Sequence, residues 1–380
     1  MATGSASVPG QLVRAYAGHD AFVPDPLPPT WRVAPQLIMP LDRASRAIAM
    51  LAGVGETLPN PHLLIRPFAR REAVLSSRIE GTQTSLAQLV LFEASGGRAD
   101  PAGDGLEVAN HVRASELGLE LLHTLPLSVR LFNTVHHELM SGVRGQDRMP
   151  GELRREQVWI GGDGTGIDDA RYVPPPPARV RDLLTDLEGF LNGDFEIPPL
   201  IQCALVHYQF EAIHPYLDGN GRMGRLLIVL YLYQQRVLTT PLLYLSAYFE
   251  RHRAEYYDRL LNVSARGDWD GWLKFFLLGI EEQSRDALSR ARRIRDLRER
   301  YRERLQESRA SANALRLLDL FFEQPAMTPA LASERLASTW AGAKGVLERL
   351  RSAGIVELAA TRSPLIYVAR ELVESLDGNA

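Results

Sequence analysis

The chain has 380 residues, 45% hydrophobic and 23% charged, which excludes a largely disordered or fibrous protein. A formal net charge of −3 excludes a strong overall positive field directed at a polyanionic partner. The single cysteine, Cys203, excludes an intrachain disulfide framework and a cysteine-based zinc cluster. The first residues do not resemble a secretion signal, and the longest apolar run is far too short to span a bilayer. We therefore expect a cytoplasmic protein without a membrane span.

The N-terminal region, residues 1–105, is predicted to be an arm followed by helices. Residues 1–40 contain seven prolines and little periodicity, which favours an extended arm. Apolar residues at helical spacing predict helices over 42–54 and 67–93. The glycine-rich stretch 95–105 has the composition of a loop.

Residues 106–283 form a second predicted domain, which is mostly helical. It contains one exception, because two short β-prone runs flank a glycine-rich turn within 157–173 and predict a hairpin that a run of prolines ends. The helices are predicted at 106–125, 128–141, 180–191, 200–213, 222–235, 247–263 and from 269 onward.

The C-terminal third predicts a connector and a small domain. Residues 284–310 are dense in charge with a narrow apolar stripe, which favours a solvated connecting helix. Within 311–380 we expect a helix at 315–322, a second starting at Thr328-Pro329, a third capped by Ser338, and a hairpin of 355–358 with 365–368 around a turn at 361–364. Three helices and a hairpin predict a winged helix-turn-helix, so the whole chain is expected to be mainly α.

The stretch from His214 to Arg225 has the composition of a nucleotide phosphate site. Its Gly219-Asn220-Gly221 turn lets backbone N–H groups approach an anion at the start of the next helix. Two arginines spaced three apart, Arg222 and Arg225, indicate more than one phosphate. Asp218 is an oxygen ligand suited to Mg²⁺, and His214 can accept a proton at neutral pH. These residue types predict attack of a hydroxyl on a nucleotide phosphate.

The same twelve residues resemble the signature loop of the Fic family, His-Pro-Phe-x-Asp-Gly-Asn-Gly-Arg-x-x-Arg, with Tyr216 in place of the usual phenylalanine. The resemblance implies a helical fold with a hairpin flap that transfers AMP from ATP to a Ser, Thr or Tyr hydroxyl of a target protein. It implies His214 as the general base and Asp218 as the ligand of Mg²⁺ bridging the α and β phosphates. The implied ATP- and phosphate-binding set is Gly219, Asn220, Gly221, Arg222, Met223, Gly224 and Arg225, in which Asn220 cradles the α phosphate and the two arginines neutralise the β and γ phosphates.

A second segment, Ser76 to Gly81, resembles the inhibitory motif of the same family, Ser/Thr-x-x-x-Glu-Gly/Asn. The resemblance implies that Glu80, with Ser76 and Gly81, restrains the enzyme. A carboxylate paired in bidentate fashion with Arg225 would keep that arginine from the γ phosphate and misalign the α phosphorus for attack.

Residues outside these motifs are expected to hold the base and the target. In similar Fic proteins the region around 243–253 closes over the adenine, which makes Tyr244, Tyr248 and Arg251 candidates for that contact. The edge of the 157–173 hairpin is expected to pair with an extended target segment.

Several functions and partners stay open at this stage. The site of an adenylyltransferase could equally belong to a hydrolase that removes AMP, with Glu80 positioning water. Alternatively, the chain is a DNA-binding regulator whose Fic domain senses nucleotide, or it transfers a nucleotide other than AMP. We expect a homodimer, with the protein itself as one possible acceptor of AMP. For the winged helix we favour a protein-interaction or dimerisation role over nucleic acid binding. The sequence does not identify the target protein, the modified residue or the signal that relieves inhibition.

Overall fold

A computed structural model describes residues 8–29, 34–57, 60–100, 103–143, 148–161, 166–359 and 364–378. These residues form a mainly helical structure with two small antiparallel sheets. Within the described ranges, no helix combines the length and apolar character that crossing a bilayer requires.

The N-terminal region is packed onto the rest of the protein. Instead of an extended arm, its described part forms two paired strands, β1 (Gly10–Arg14) and β2 (Asp20–Pro24). The side chains of β2 are mostly buried, and the Phe22 N–H donates to the Val173 carbonyl 2.9 Å away. The helix predicted at 42–54 is longer, because α1 covers Pro35–Thr57.

The prediction of a single helix over 67–93 is wrong, because the structure has two helices in this region. The first, α2, covers His62–Ile79, and the second, α3, covers Leu86–Ala94. Gly81 has φ +102° and ends the first helix, and Ser85 starts the second with a capping box whose other member is Gln88. The break places Glu80 at the C-terminal cap of α2 and not in mid-helix.

The helices at the centre of the molecule agree with the prediction to within a few residues, except at the C-terminal end of α4. Most side chains of α7 and α8 are buried, so this pair holds the loop between them, 214–219, on a rigid base. The bounds are α4 Gly105–Leu121, α5 Val129–Met140, α6 Pro177–Asn192, α7 Pro199–Ile213 and α8 Asn220–Gln234.

The predicted hairpin at 157–173 is reduced to one bridge in the described residues. Ile160 and Tyr172 pair through two backbone hydrogen bonds of 2.8 and 3.1 Å, and no regular ladder extends from them. The prolines after Val173 lack N–H donors and stop the pairing on that side. Residues 162–165 of the predicted turn lie outside the described ranges. We call residues 156–175 the flap.

Two predictions for the region after α8 are wrong. The helix predicted at 247–263 is two helices, α9 (Ser246–Arg251) and α10 (Arg253–Arg266), which meet at His252. The helix predicted from 269 onward and the connecting helix predicted at 284–310 are one continuous helix of 39 residues, α11 (Trp269–Glu307). The part predicted to be solvated has a buried apolar side, including Ile294, Leu297 and Tyr301, since helices from both ends of the chain pack against it.

The C-terminal unit, residues 312–377, contains the predicted helices and hairpin, together with a further strand and helix. Thr339, not Ser338, caps the third helix by accepting from the Gly342 N–H. Residues 360–363, at the predicted turn, lie outside the described ranges. The bounds are α12 Ala312–Glu323, β3 Ala326–Met327, α13 Pro329–Leu336, α14 Trp340–Ser352, β4 Glu357–Leu358, β5 Tyr367–Val368 and α15 Arg370–Asp377, with the sheet in the order β3-β5-β4.

Candidate active site

Hydrogen bonds within the loop between α7 and α8 fix its conformation. His214 ends α7 with left-handed backbone angles, φ 49° and ψ 64°, and Gly219 has φ 76° before α8. The Asn220 amide clamps Tyr216, accepting from its N–H and donating to its carbonyl, both at 2.8 Å. The Asn220 side chain therefore shapes the loop, whereas the family resemblance implied that it cradles the α phosphate.

A histidine on α5 supports the same loop. The His136 ring stacks on Tyr216 with centroids 3.7 Å apart and planes 5° from parallel. Its Nδ1 accepts from the Gly151 N–H at 2.9 Å, so Nε2 carries the proton and donates to the Asp218 carbonyl at 2.9 Å. Burial lowers the pKa of His136 to about 4 and keeps it neutral. This contact was not predictable from local sequence patterns, because His136 is 78 residues from the loop.

A cavity of about 570 Å³ opens beside the loop. Five predicted site residues line it: Glu80, His214, Asp218, Gly221 and Arg225. The remaining wall comes mainly from the flap, α7 and α10, through Trp159, Ile160, Arg171, Tyr172, Tyr208, Glu211, Arg253, Tyr256, Tyr257, Leu260, Leu261 and Ser264. The structure thus brings the signature loop, the inhibitory motif and the flap to one cavity.

His214 has the electrostatic environment of a neutral imidazole. Burial and, to a smaller extent, the positive charge of Arg154 lower its pKa to about 4, although the Glu211 carbonyl and the Glu80 carboxylate oppose the shift. A neutral ring at pH 7 can accept a proton from a hydroxyl that enters the cavity.

Arg225 is held entirely by α2. Its Nε donates to Ser76 Oγ at 2.9 Å, and its Nη2 donates to the Ser76 carbonyl at 3.0 Å and to Glu80 Oε1 at 2.6 Å. The predicted bidentate pair is therefore wrong, because Ser76 accepts from Nε and from Nη2, and Glu80 contributes one oxygen to Nη2. Burial alone would raise the pKa of Glu80, but the charge and the hydrogen bond of Arg225, together with the charge of Arg222, outweigh it and hold that pKa below its ordinary value. Gly81 contributes the turn that ends α2.

Arg222 lies away from the cavity. Its guanidinium is buried, donates to Glu107 Oε1 at 2.6 Å and lies 3.8 Å from Asp218 Oδ1. Contact with a phosphate would require this arrangement to open. Met223 and Gly224 are buried within α8, where the Gly224 carbonyl accepts from His207 at 3.0 Å. Glu107 was not predicted, since nothing in the sequence links it to the loop.

Asp218 provides one carboxylate to the cavity. Its side chain is 48% exposed, and its Oδ1 accepts from the Gly219 N–H at 2.6 Å. No group of three or more acidic, histidine or cysteine side chains in the described part of the chain could hold a metal by itself. One carboxylate facing an open cavity fits Mg²⁺ that takes its other ligands from water and a phosphate chain.

The predicted base contacts do not line the cavity. Tyr244 is buried beside α2, Tyr248 packs against Phe275, and Arg251 pairs with Glu282. The break at His252 turns this segment away from the loop and brings α10 to the cavity instead. The helical spacing of Tyr256, Tyr257, Leu260 and Leu261 was the available signal for that wall.

Glu211 is a further carboxylate that the sequence did not indicate. It lies one turn before His214 and lines the cavity. Burial raises its pKa to about 7; Arg225 opposes that shift and Glu80 adds to it. A side chain at position 224 would clash with its Oε1, so the glycine gives this carboxylate room.

Two sequence profiles match the chain. The profile described as "Fic/DOC family N-terminal" matches residues 38–120, and the profile "Fic/DOC family" matches residues 126–232. Together they cover half of the chain, and the second includes the whole loop with His214, Asp218 and Arg225. The chain belongs to the Fic/DOC family.

Its relatives include named enzymes. A "Protein adenylyltransferase Fic" from Culex quinquefasciatus is 29% identical over 205 residues, which are 52% of this chain and 37% of that protein. One from Drosophila willistoni is 29% identical over 157 residues, 40% of this chain and 29% of that protein. The chain spans about a third of the length of these curated relatives, and the homology is distant.

Solved structures share the fold. A Fic family protein from Desulfovibrio desulfuricans G20 has a TM-score of 0.57 at 21% identity, covering 90% of this chain and 98% of that chain. Residues 134–508 of Fic-1 from C. elegans give a TM-score of 0.52 at 22% identity, covering 67% of this chain and 74% of that chain. These likenesses establish a mainly helical Fic fold with small sheets.

Proposed function

We propose that this protein transfers AMP from ATP to a Ser, Thr or Tyr hydroxyl of a protein. The observation that carries the proposal is the convergence of a neutral His214, the Asp218 carboxylate and Arg225 on one cavity. A proton acceptor, an oxygen ligand for a metal and a guanidinium are the groups that nucleotidyl transfer from a triphosphate needs.

The chain's own residues divide the reaction between them. His214 takes the proton of the target hydroxyl while its oxygen bonds to the α phosphorus, and the bond from that phosphorus to the bridging oxygen of pyrophosphate breaks. Gly221 leaves room for the phosphate chain at the start of α8, where free backbone N–H groups favour an anion. Mg²⁺ bound through Asp218 and the phosphates would neutralise charge on the leaving pyrophosphate. Tyr256, Tyr257 and Leu260 on α10 would cover the base, in place of Tyr244, Tyr248 and Arg251.

The position of Glu80 supports a second part of the proposal, self-inhibition. Its carboxylate accepts a hydrogen bond from Nη2 of Arg225, the atom that would donate to a γ phosphate. A side chain at position 221 would collide with Glu80, so the restraint reaches directly over the phosphate-binding turn. Withdrawal of Glu80 would free one donor of Arg225 Nη2 and the space above the turn.

Incorporation of AMP from α-labelled ATP with Mg²⁺ tests both parts. Wild type, Glu80→Gly and Glu80→Gly/His214→Ala are each assayed alone and with cell lysate. Gln83→Gly is the matched control, because it loosens the same loop without touching Arg225. We expect strong labelling only with Glu80→Gly and its loss in the double variant. No labelling in any variant that binds ATP would contradict the transferase proposal.

Removal of AMP is the second candidate, favoured by the two carboxylates, Glu80 and Glu211, that line the cavity with His214. Either could orient a water molecule toward a bound phosphodiester. The test uses labelled protein made by the Glu80→Gly variant and adds excess wild type or Glu80→Ala. Release of AMP by wild type alone would favour the hydrolase, and release by neither would exclude it for this substrate.

For the C-terminal unit, we propose a winged helix-turn-helix that binds protein, including a second copy of the chain. Its helix α14 exposes Trp340 with Lys344 at 5.2 Å from the ring, and Glu348 on the same helix pairs with Arg351. Mixed charge and an exposed aromatic side chain suit a protein interface better than a phosphate backbone. Light scattering should give a dimer mass that Trp340→Glu reduces. Salt-sensitive duplex DNA binding that Lys344→Glu abolishes would favour nucleic acid instead.

A further inference from the structure

Arg154, just before the flap, is an arginine buried among main-chain carbonyls. It is 2% exposed and makes no ion pair with any described carboxylate. Its Nε donates to the His214 carbonyl at 2.8 Å, Nη1 to the Glu156 carbonyl at 3.2 Å, and Nη2 to the carbonyls of Pro175 at 2.5 Å and Ile213 at 3.4 Å.

These bonds join three parts of the site. Ile213 and His214 end α7, Glu156 begins the flap, and Pro175 ends it. The Arg154 backbone adds a fourth link, because its N–H donates to the Pro215 carbonyl at 3.0 Å. One side chain thus connects the proposed general base to both ends of the flap.

A buried charge without a counter-ion is costly unless its hydrogen bonds are satisfied. Burial lowers the pKa of Arg154 to about 10, which still leaves the guanidinium charged at neutral pH. Its planar fork of five donors can reach several carbonyls at once, whereas the single ammonium of a lysine cannot match that geometry. The site therefore requires the shape of arginine and not only its charge.

The backbone of His214 needs such support. Left-handed backbone angles strain a residue other than glycine and persist only where the surroundings impose them. The His214 carbonyl, which follows those angles, is held directly by Arg154 Nε. The same bonds fix how far the flap lies from the imidazole.

We propose that Arg154 is a positioning residue, which holds the His214 backbone and the flap in one fixed geometry so that a hydroxyl presented by the flap meets the base. This inference rests on the proposed transferase function. A displacement of about 1 Å in such a geometry can reduce the rate of the chemical step about 100-fold.

The kinetic test uses the Glu80→Gly background, in which transfer is expected to be measurable. Arg154→Met and Arg154→Lys are compared with Arg155→Met, a matched control in the next position whose side chain is 77% exposed. We expect Arg154→Met to lower kcat about 100-fold with the Kd for ATP unchanged within about threefold, and Arg155→Met to change neither. Unchanged kcat in folded Arg154→Met, or equal losses in both variants, would overturn the proposal.

The pH profile distinguishes positioning from general stability. His214 faces Arg154, the Glu211 carbonyl and Glu80, and Glu80 is absent in this background. Loss of the Arg154 charge should move the acid limb of kcat to higher pH in Arg154→Met, whereas Arg154→Lys should leave the limb in place but still lower kcat. If Arg154→Met fails to fold, Arg154→Lys decides alone, and full activity there would overturn the proposal.

Hydrogen exchange provides a readout that needs no catalysis. In otherwise wild-type protein, Arg154→Met should lose amide protection together in residues 156–161, 171–173, 213–214 and 216–219, and Arg155→Met should not. If no variant transfers AMP but this joint loss occurs, the proposed function fails, whereas the positioning role of Arg154 is supported. If transfer occurs in the Glu80→Gly background and protection in these segments is unaltered, the positioning role of Arg154 is contradicted.

Discussion

Arg222 and Arg225 lie one turn apart on α8 and have the same immediate chemistry, yet their surroundings differ. Each is buried, and each donates to a carboxylate oxygen at 2.6 Å. The partner of Arg222 is Glu107, a buried residue within α4. The partner of Arg225 is Glu80, whose side chain is 33% exposed at the end of α2 and faces the cavity. One pair is enclosed by the core, and the other stands where a ligand can compete with it.

The comparison shows that the same residue spacing supports two different tasks. Removing one member of a buried pair leaves an uncompensated charge, which ties the Arg222 pair to folding. A carboxylate at a cavity edge can be replaced by water or by phosphate, which ties the Arg225 pair to ligand binding. Four measurements would break or sharpen this distinction.

The largest effect is expected from Glu107→Ala. It leaves Arg222 buried without its partner, and we expect a loss of about 3–5 kcal/mol in the free energy of unfolding. Denaturant titration measures the loss, with Glu120→Ala on the exposed side of α4 as the control. Glu80→Ala should cost far less in the same titration. Equal losses for Glu80 and Glu107 variants would end the distinction between the two pairs.

The next effect concerns pH and His111, a buried histidine of α4 near both arginines. Burial, together with the charges of Arg225 and Arg222, lowers its pKa to about 3. The unfolded chain takes up this proton below about pH 6.5, so the stabilisation is complete above that pH and is lost as the pH falls toward 3. The slope is at most about 1.4 kcal/mol per pH unit. The difference in unfolding free energy between pH 6 and pH 5 should shrink by that amount in His111→Leu. An unchanged slope would show that His111 is not held neutral.

A smaller effect is expected on nucleotide affinity. Because Glu80 competes for Arg225, Glu80→Ala should lower the Kd for a non-hydrolysable ATP analogue about 10-fold, which corresponds to about 1.4 kcal/mol. Isothermal titration calorimetry measures the change, and Gln83→Ala serves as the control. An affinity equal to that of wild type would mean that Glu80 misaligns bound ATP without competing for it.

The smallest effect concerns the contact between α2 and the C-terminal unit. Arg66 pairs with Glu323 of α12 at 3.2 Å, and both side chains are partly exposed. Arg66→Ala should therefore cost about 0.2–1 kcal/mol in the free energy of unfolding, less at high salt. Lys274→Ala, an exposed base on α11, is the control. A loss above 3 kcal/mol would show that this pair belongs with that of Arg222.

The sequence predicted the parts of the site whose chemistry is local. The loop from His214 to Arg225 carries its turn, its acid and its base within twelve residues, and the resemblance added Glu80. Glu107, His136 and Arg154 were not predicted, because they reach the loop from 60 to 115 residues away and periodicity does not encode such partners. Tyr244, Tyr248 and Arg251, the predicted base contacts, do not line the cavity for a related reason, since neither glycine nor proline marks the helix break at His252.

The fold was predictable where apolar spacing and capping residues agreed, as in α5 to α8. It was not predictable where burial comes from distant elements. The charged stretch after residue 283 was predicted to be solvated, yet its apolar stripe is covered by other parts of the chain. Similarly, the proline-rich N-terminus gains its structure by pairing with itself and with Val173 of the flap.

The continuity of α11 has a mechanical consequence. At 39 residues it is about 58 Å long, and the residues that precede and follow the predicted boundary at 283 belong to the same rod. Asp286 on this rod lies 3.8 Å from Arg71 of α2, and Arg290 donates to the carbonyl of Leu376 in α15. A displacement of the C-terminal unit would therefore be transmitted along α11 to α2, because no flexible linker separates them.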